Sequence, residues 1–70
     1  MTAQEILDFL ETFCVKVTEN ESPEFVEKMM DDHNCIEFNE EQYYVPDSMP
    51  LLATEKDEEI RAYIIEYYLV

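Results

Sequence analysis

Carboxylates are almost the only side chains in this sequence that could do chemistry. Eighteen Asp and Glu residues stand against four Lys and Arg residues, and the formal net charge is −14. Acid–base catalysis needs such groups held in a cleft, with a neighbour that activates them. We interpret adjacent carboxylate pairs such as Asp31 and Asp32 as surface charge.

The other chemical signals in the chain are weak. The single histidine, His33, lies in the run Asp-Asp-His-Asn-Cys that ends at Cys35. Consecutive ligands at a helix end do not have the spacing of a tetrahedral metal site, so we expect no metal. Because the chain has no glycine, it has neither a glycine-rich phosphate loop nor a calcium loop with a central glycine. We expect a protein that is not an enzyme and needs no cofactor.

The two cysteines, Cys14 and Cys35, match no metal or redox motif. Two thiols without a secretory signal indicate a reducing compartment, so we expect a cytoplasmic protein with both cysteines buried and free. No stretch of the sequence reaches the length of a membrane span.

Length and composition predict one small folded domain. Seventy residues, of which 47% are apolar, allow a modest core and are too apolar for a disordered acidic tail. We predict a single α+β domain over residues 1–70, with the order α-α-β-β-α and a short hairpin covered by helices.

Two amphipathic helices are predicted in the first half of the chain. A capping box begins at Thr2, and apolar residues continue at helical spacing to Val17. The β-branched composition of residues 13–18 leaves a strand there as an alternative. Ser22, followed by proline, is typical of the N-cap of a second helix, which should end near residues 32–34.

A hairpin is predicted next. Residues 35–38 and 42–45 have strand composition, and residues 39–41 should form the turn between them. Residues 51–53 are short and apolar and could add a further extended segment.

The last helix should begin after Thr54 and carries apolar residues on two faces. One stripe consists of Ile60, Tyr63, Ile64, Tyr67 and Tyr68. The other consists of Ala62, Ile65 and Leu69. A 70-residue domain has little interior in which to bury both, so we predict a homodimer through the second stripe. The β propensity of residues 63–70 leaves a strand there as an alternative.

Three groups of acidic residues are predicted on the outer faces of the helices. Residues three or four apart on a helix lie ~5–6 Å from each other, so each group forms a dense row of charge with almost no Lys or Arg in it. We expect these rows to bind the partner; they are Glu5, Asp8 and Glu11, then Glu24, Glu27, Asp31 and Asp32, and finally Glu55, Asp57, Glu58 and Glu59.

This acidity indicates a basic protein as the partner. Phosphates would repel the chain, so we expect no direct binding to nucleic acid or to an anionic membrane. Fixed carboxylates could instead occupy a cationic surface shaped for phosphates, and their charge would steer association from a distance.

The whole chain resembles the DNA-mimic proteins that bacteriophages make during host takeover, in its small size, acidity, tyrosine content and lack of catalytic groups. Within that group it is most similar to the Bacillus phage inhibitors of the nucleoid protein HU. Residues 49–54 (Met-Pro-Leu-Leu-Ala-Thr) resemble one strand of the phage inhibitors of uracil-DNA glycosylase. The resemblance rests on size and charge and assigns no site residues. It implies an inhibitor that blocks the DNA-binding surface of a basic host protein, with HU as favoured target, in the host cytoplasm.

Two other functions fit the same residues. The chain could inhibit a different nucleic-acid enzyme, such as uracil-DNA glycosylase, RNA polymerase or a CRISPR nuclease. It could also be a small acidic adaptor that binds through aromatic side chains and uses its charge for solubility. Binding through charge should weaken steeply with salt, whereas binding through apolar side chains should not.

Overall fold

The computed structural model describes the whole chain, Met1 to Val70. The elements follow in the order α1 (Ala3–Phe13), β1 (Val15–Lys16), α2 (Pro23–Asp32), β2 (His33–Phe38), β3 (Glu41–Pro46) and α3 (Glu55–Tyr68). Three helices and one three-stranded antiparallel sheet make an α+β domain, as predicted.

Helix α1 begins where the sequence predicts and ends four residues earlier. The Thr2 side chain accepts a hydrogen bond from the Glu5 backbone N–H, and the Glu5 side chain accepts one from the Thr2 N–H. The helical periodicity predicted an end at Val17, but Cys14 is already extended. The prediction of helix to Val17 was therefore wrong, because the next residues pair with β3 and form β1. Pairing in the sheet replaces the last turn of the helix.

The second helix and the hairpin agree with the prediction. The Ser22 hydroxyl caps α2 by accepting from the Phe25 N–H, and α2 ends at Asp32. Strand β2 follows at once and pairs with β3 in the register Ile36 opposite Tyr43. The turn between them contains only Asn39 and Glu40, both at positive φ.

The sheet has the strand order β1-β3-β2 and carries helices on both faces. On one face, apolar residues of β2 and β3 join those of α1 and α3 in the core: Ile6, Phe9, Leu10, Ile36, Phe38, Tyr43, Val45, Ile60 and Ile64. Neighbouring strand positions point to the opposite face. There the Tyr44 ring meets the Phe25 ring of α2 edge-on, with centroids 6.4 Å apart.

The chain end covers the outer edge of β2. Leu69 forms a β-bridge with Ile36, and the Val70 N–H donates to the Cys35 carbonyl oxygen at 3.0 Å. Residues 55–68 are helical, so the alternative of a strand over residues 63–70 is wrong except for this bridge. The segment 51–53 is not extended either: Leu51 and Leu52 lie in a turn and are almost fully exposed, at 103% and 95%.

The inner face of α3 differs from the predicted stripe. Ile60 and Ile64 are buried as predicted, and Ile65 also packs against the core, although it was assigned to the outward stripe. Tyr63 and Tyr67 were assigned to the core and are exposed. The buried face centres on Ile64, so Tyr63 and Ile65 fall on its two flanks, and sequence spacing alone did not decide which flank turns inward.

Candidate protein-binding surface

The first predicted acidic group, on α1, is only partly free. Glu5 caps the helix and also lies 3.2 Å from Lys56 Nζ. The hydrogen bond from Lys56, followed by the one from the Thr2 backbone, lowers the pKa of the Glu5 carboxyl below its ordinary value. Asp8 accepts a hydrogen bond from Gln4 Nε2 at 2.9 Å, and Glu11 is exposed. Glu5 therefore has a structural role, while Asp8 and Glu11 face solvent.

The third predicted group, at the start of α3, divides in the same way. Asp57 is half-buried and accepts hydrogen bonds from the Thr54 N–H and hydroxyl, at 3.2 and 3.0 Å. Glu55, Glu58 and Glu59 are exposed and take part in no ion pair. Three carboxylates of this group are thus available to a partner, and Asp57 holds the helix start.

The fold brings these two groups together. A shallow groove between α1 and α3 is lined by Glu5, Asp8, Thr12, Lys56 and Asp57 among others. The ion pair between Lys56 and Glu5 lies in this groove and joins the two helices. We call the exposed predicted acids of these two adjoining helices the α1/α3 acidic surface: Asp8, which lines the groove, and Glu11, Glu55, Glu58 and Glu59.

The second predicted group lies on the other side of the sheet. Glu24, Glu27, Asp31 and Asp32 are all exposed and, together with Lys28, surround a shallow depression on α2. Because α2 packs on the face of the sheet that carries Tyr44, this group does not join the α1/α3 acidic surface.

A fourth acidic group was missed by sequence reasoning. Four glutamates line an open groove at the turn end of the hairpin: Glu19, Glu37, Glu40 and Glu41. Lys16 also lines it and lies 3.2 Å from Glu41 Oε2. The predicted turn at residues 39–41 contains two of these glutamates and the predicted strand before it contains a third, but Glu19 comes from the loop before α2 and reaches them only through the fold.

Three of the four cations are engaged within the molecule. Lys16 and Lys56 form the two ion pairs described above. Arg61 donates to the backbone carbonyl oxygens of Pro46 and Asp47. Lys28 is the only cation that forms neither an ion pair nor a side-chain hydrogen bond.

The residues considered for a metal site do not assemble into one. No group of three or more His, Cys, Asp or Glu side chains is arranged to hold a metal ion. His33 is half-buried at the start of β2, and its Nδ1 atom has no hydrogen-bond partner. Both cysteines are free thiols. Burial raises the pKa of the Cys14 thiol to about 12, and burial also raises the pKa of Cys35.

The residues predicted for a homodimer are not equivalent in the structure. Ala62 and Leu69 are exposed, whereas Ile65 packs against the core of its own chain. Ala62 is three or four residues from Glu58, Glu59 and Glu66, so glutamates surround it on α3. The homodimer stays a prediction.

None of the three helices combines the length and apolar character needed to cross a membrane. Comparison of the chain with protein-family models, with curated proteins and with solved structures finds no match.

Proposed function

We propose that this protein is a DNA mimic that inhibits a basic nucleic-acid-binding protein by occupying its DNA-binding surface. The observation that supports the proposal is a net charge of −14, together with the fact that three of the four cations make contacts within the molecule. Because Lys16, Lys56 and Arg61 are engaged in internal contacts, the outward field is almost wholly that of carboxylates. The protein acts by binding alone, without catalysis or a cofactor.

Size and charge suit a surface that normally holds DNA. The molecule measures 33 × 27 × 19 Å. Duplex DNA carries one charge per ~1.7 Å, and therefore about 19 charges over the longest of these dimensions. The protein's net charge of −14 is of the same order. Electrostatic attraction on this scale accelerates encounter with a cationic groove.

The α1/α3 acidic surface is the proposed contact, because two of the predicted groups meet there. Glu55, Glu58 and Glu59 are exposed on one helix, with ~5–6 Å between residues three or four apart. Asp8 and Glu11 extend the charge onto α1. A histone-like nucleoid protein such as HU, the target that the resemblance implies, is the first partner to test.

Displacement of labelled duplex DNA from HU tests the proposal. The wild-type protein should release DNA from HU at about 50 mM sodium chloride and should do so much less well at about 200 mM, since binding depends on charge. A triple variant with Glu55→Gln, Glu58→Gln and Glu59→Gln should compete about tenfold less well, if each lost contact contributes ~0.5 kcal/mol. Asp57 is left unchanged because its side chain accepts the hydrogen bonds from Thr54 that complete the capping box of α3.

A matched control removes the same charge from the other side of the sheet. Glu24→Gln, Glu27→Gln and Asp31→Asn together should leave most of the competition intact, because α2 lies away from the proposed contact. The opposite ranking of the two variants would place the contact on α2. If the wild-type protein binds HU without releasing DNA, mimicry is wrong. If it does not bind HU at all, the same displacement assay with RNA polymerase or uracil-DNA glycosylase tests the other nucleic-acid targets.

A second function, that of an acidic adaptor, is favoured by one observation. Leu51 and Leu52 are exposed side by side in the loop before α3, where they could enter an apolar pocket of a partner. An adaptor of this kind would bind its partner equally well at low and high salt. It would lose binding on Leu51→Ser with Leu52→Ser, a double variant that should leave displacement of DNA unchanged if the first proposal is right.

A further inference from the structure

Two tyrosines lie against each other on the outside of α3, with their rings tilted by 45°. Tyr63 and Tyr67 are 37% and 64% exposed, and their ring centroids are 4.8 Å apart. Tyr68 lies beside them, 6.2 Å from Tyr63, and its ring meets the buried Phe38 edge-on at 5.4 Å. The exposed pair is therefore held by a third ring that contacts the core. Side chains fixed in this way lose little conformational freedom when a partner binds.

Carboxylates flank the exposed rings. Glu59 precedes Tyr63 by four residues and Glu66 follows it by three, so both lie beside that ring on the helix surface. Both are exposed, and neither takes part in an ion pair. The face thus presents aromatic surface and negative charge together.

We propose that this face, the tyrosine ridge (Glu59, Tyr63, Glu66 and Tyr67), binds an arginine side chain of the basic partner. A guanidinium group is planar and weakly hydrated, so it can stack on an aromatic ring and at the same time donate hydrogen bonds to carboxylates. An ammonium group is more strongly hydrated and cannot stack in this way. The ridge therefore selects arginine over lysine, which charge alone would not do.

A basic partner suits the ridge better than other occupants. A second copy of the chain would bring Glu59 and Glu66 close to their own equivalents, and like charges across an interface are costly. A nucleic acid could stack bases on the rings, but its phosphates would meet the same glutamates. This inference rests on the proposed function and specifies a residue type that the partner must supply.

Two synthetic peptides of equal length and charge test the selectivity directly. One repeats Arg-Gly and the other repeats Lys-Gly, and calorimetry gives the affinity of the protein for each. The wild-type protein should bind the arginine peptide at least about fivefold more tightly, which is the effect of a single cation–π contact of ordinary strength. Tyr63→Leu with Tyr67→Leu should remove this preference and leave binding of the lysine peptide unchanged.

Three controls distinguish the contribution of the Tyr63 and Tyr67 rings from that of apolar surface and charge in general. Tyr63→Phe with Tyr67→Phe keeps the aromatic faces and should keep the preference for arginine. Leu51→Ser with Leu52→Ser removes exposed apolar surface elsewhere and should also keep it. Glu66→Gln should weaken binding of both peptides without abolishing the preference. If the double leucine variant fails to fold, as judged by circular dichroism, Tyr67→Leu alone, at the more exposed ring, provides the second test and should reduce the preference.

The outcomes distinguish the ridge from the proposed function. Equal affinity of the wild-type protein for both peptides, or a folded leucine variant that still prefers arginine, would overturn the inference. Binding of a single-stranded oligonucleotide to the ridge would also overturn it. So would a wild-type protein that shows no arginine preference but forms a dimer that the leucine variant does not form. If arginine selectivity holds while DNA stays bound to HU, the ridge stands and the proposed DNA mimicry fails.

Discussion

Arg61 of α3 donates a hydrogen bond from Nε to the Pro46 carbonyl oxygen, 2.8 Å away. Its other guanidinium donor reaches the Asp47 carbonyl oxygen. The end of β3 and the start of the following loop are thus fixed to α3 by a cation that meets no carboxylate. In a molecule with a net charge of −14, this cation stabilises backbone geometry instead of neutralising surface charge.

Loss of the Arg61 contacts should destabilise the fold. Arg61→Met should lower the free energy of unfolding by ~1.5–3 kcal/mol, the usual contribution of hydrogen bonds that involve a charged group. Arg61→Lys should recover little of this, because an ammonium group does not present two donors in a fork. Urea unfolding measures both. Lys28→Met removes the same charge without a paired carboxylate, and an equally large effect in that control would show that net charge, and not the contact, is responsible.

The hairpin turn stores strain that a single substitution should relieve. Asn39 and Glu40 have φ of 53° and 65°, the pattern of a two-residue type I′ turn, in which glycine is preferred at the second position. Glu40→Gly should therefore raise the free energy of unfolding by ~1 kcal/mol. Glu40→Gln is the matched control, since it removes the same charge and keeps the Cβ atom. Equal stability of the two variants would mean that the gain comes from charge alone.

Local chemistry explains which parts of the fold could be predicted. Thr2, Ser22 and Thr54 each accept a hydrogen bond from a backbone N–H three residues later, so the starts of all three helices depend on neighbours in sequence. The end of α1 does not. Val15 and Lys16 form a strand because they meet Tyr44 and Tyr43 of β3, and no short window of sequence contains that pairing.

The candidate surface was predictable to a similar degree. Amphipathic spacing was enough to place Glu24, Glu27 and Glu58 on the outside of their helices. It could not show that Glu5 is paired with Lys56, 51 positions away in the chain, or that Glu19 joins the hairpin glutamates. Amphipathic spacing also did not show that Tyr63 is exposed. The predicted apolar stripe and the observed buried face of α3 are rotated relative to each other about the helix axis, by about the angle between consecutive residues.

Cys14 should be a poor nucleophile in the folded protein. Burial raises the pKa of its thiol from 9.0 to about 12. At pH 8 the folded protein therefore contains much less Cys14 thiolate than the unfolded chain. Alkylation by iodoacetamide, followed by mass spectrometry, should be at least about a hundredfold slower at this site in buffer than in urea. Cys35, which is less deeply buried, should react first, and comparable rates at the two sites would contradict the burial of Cys14.

The same shift makes stability depend on pH in the alkaline range. The folded state binds the Cys14 proton more tightly than the unfolded state does. The contribution of this thiol to the free energy of unfolding is therefore complete below pH 9 and is lost as pH rises toward about 12. Cys14→Ala should reduce the fall in the free energy of unfolding over this pH range. Ionisation of the tyrosines affects the wild type and the variant alike, so it does not account for the difference.

Added salt should stabilise the protein. Both ion pairs involve side chains that are about half exposed, and such pairs contribute at most ~1 kcal/mol each. Repulsion among 18 acids acts over the whole surface and is screened within ~10 Å at 0.1 M salt. The midpoint of thermal unfolding should therefore rise with sodium chloride. A fall would mean that the Lys16–Glu41 and Lys56–Glu5 pairs outweigh the general repulsion.

Self-association through the outer side of α3 should require salt. Ala62 lies among Glu58, Glu59 and Glu66, and a symmetric contact there would place these glutamates near their copies. Ile65, which packs against its own core, would add little to the interface. We therefore expect a monomer at low ionic strength and a dimer only where screening is strong. Sedimentation velocity at about 0.01 M and about 1 M sodium chloride, where the screening length falls from ~30 to ~3 Å, measures this. Leu69→Ser should abolish the high-salt dimer, whereas Leu52→Ser, an equally apolar loss in the loop before α3, should not. A stable dimer at low salt would show that the contact avoids these glutamates and uses another face of the molecule.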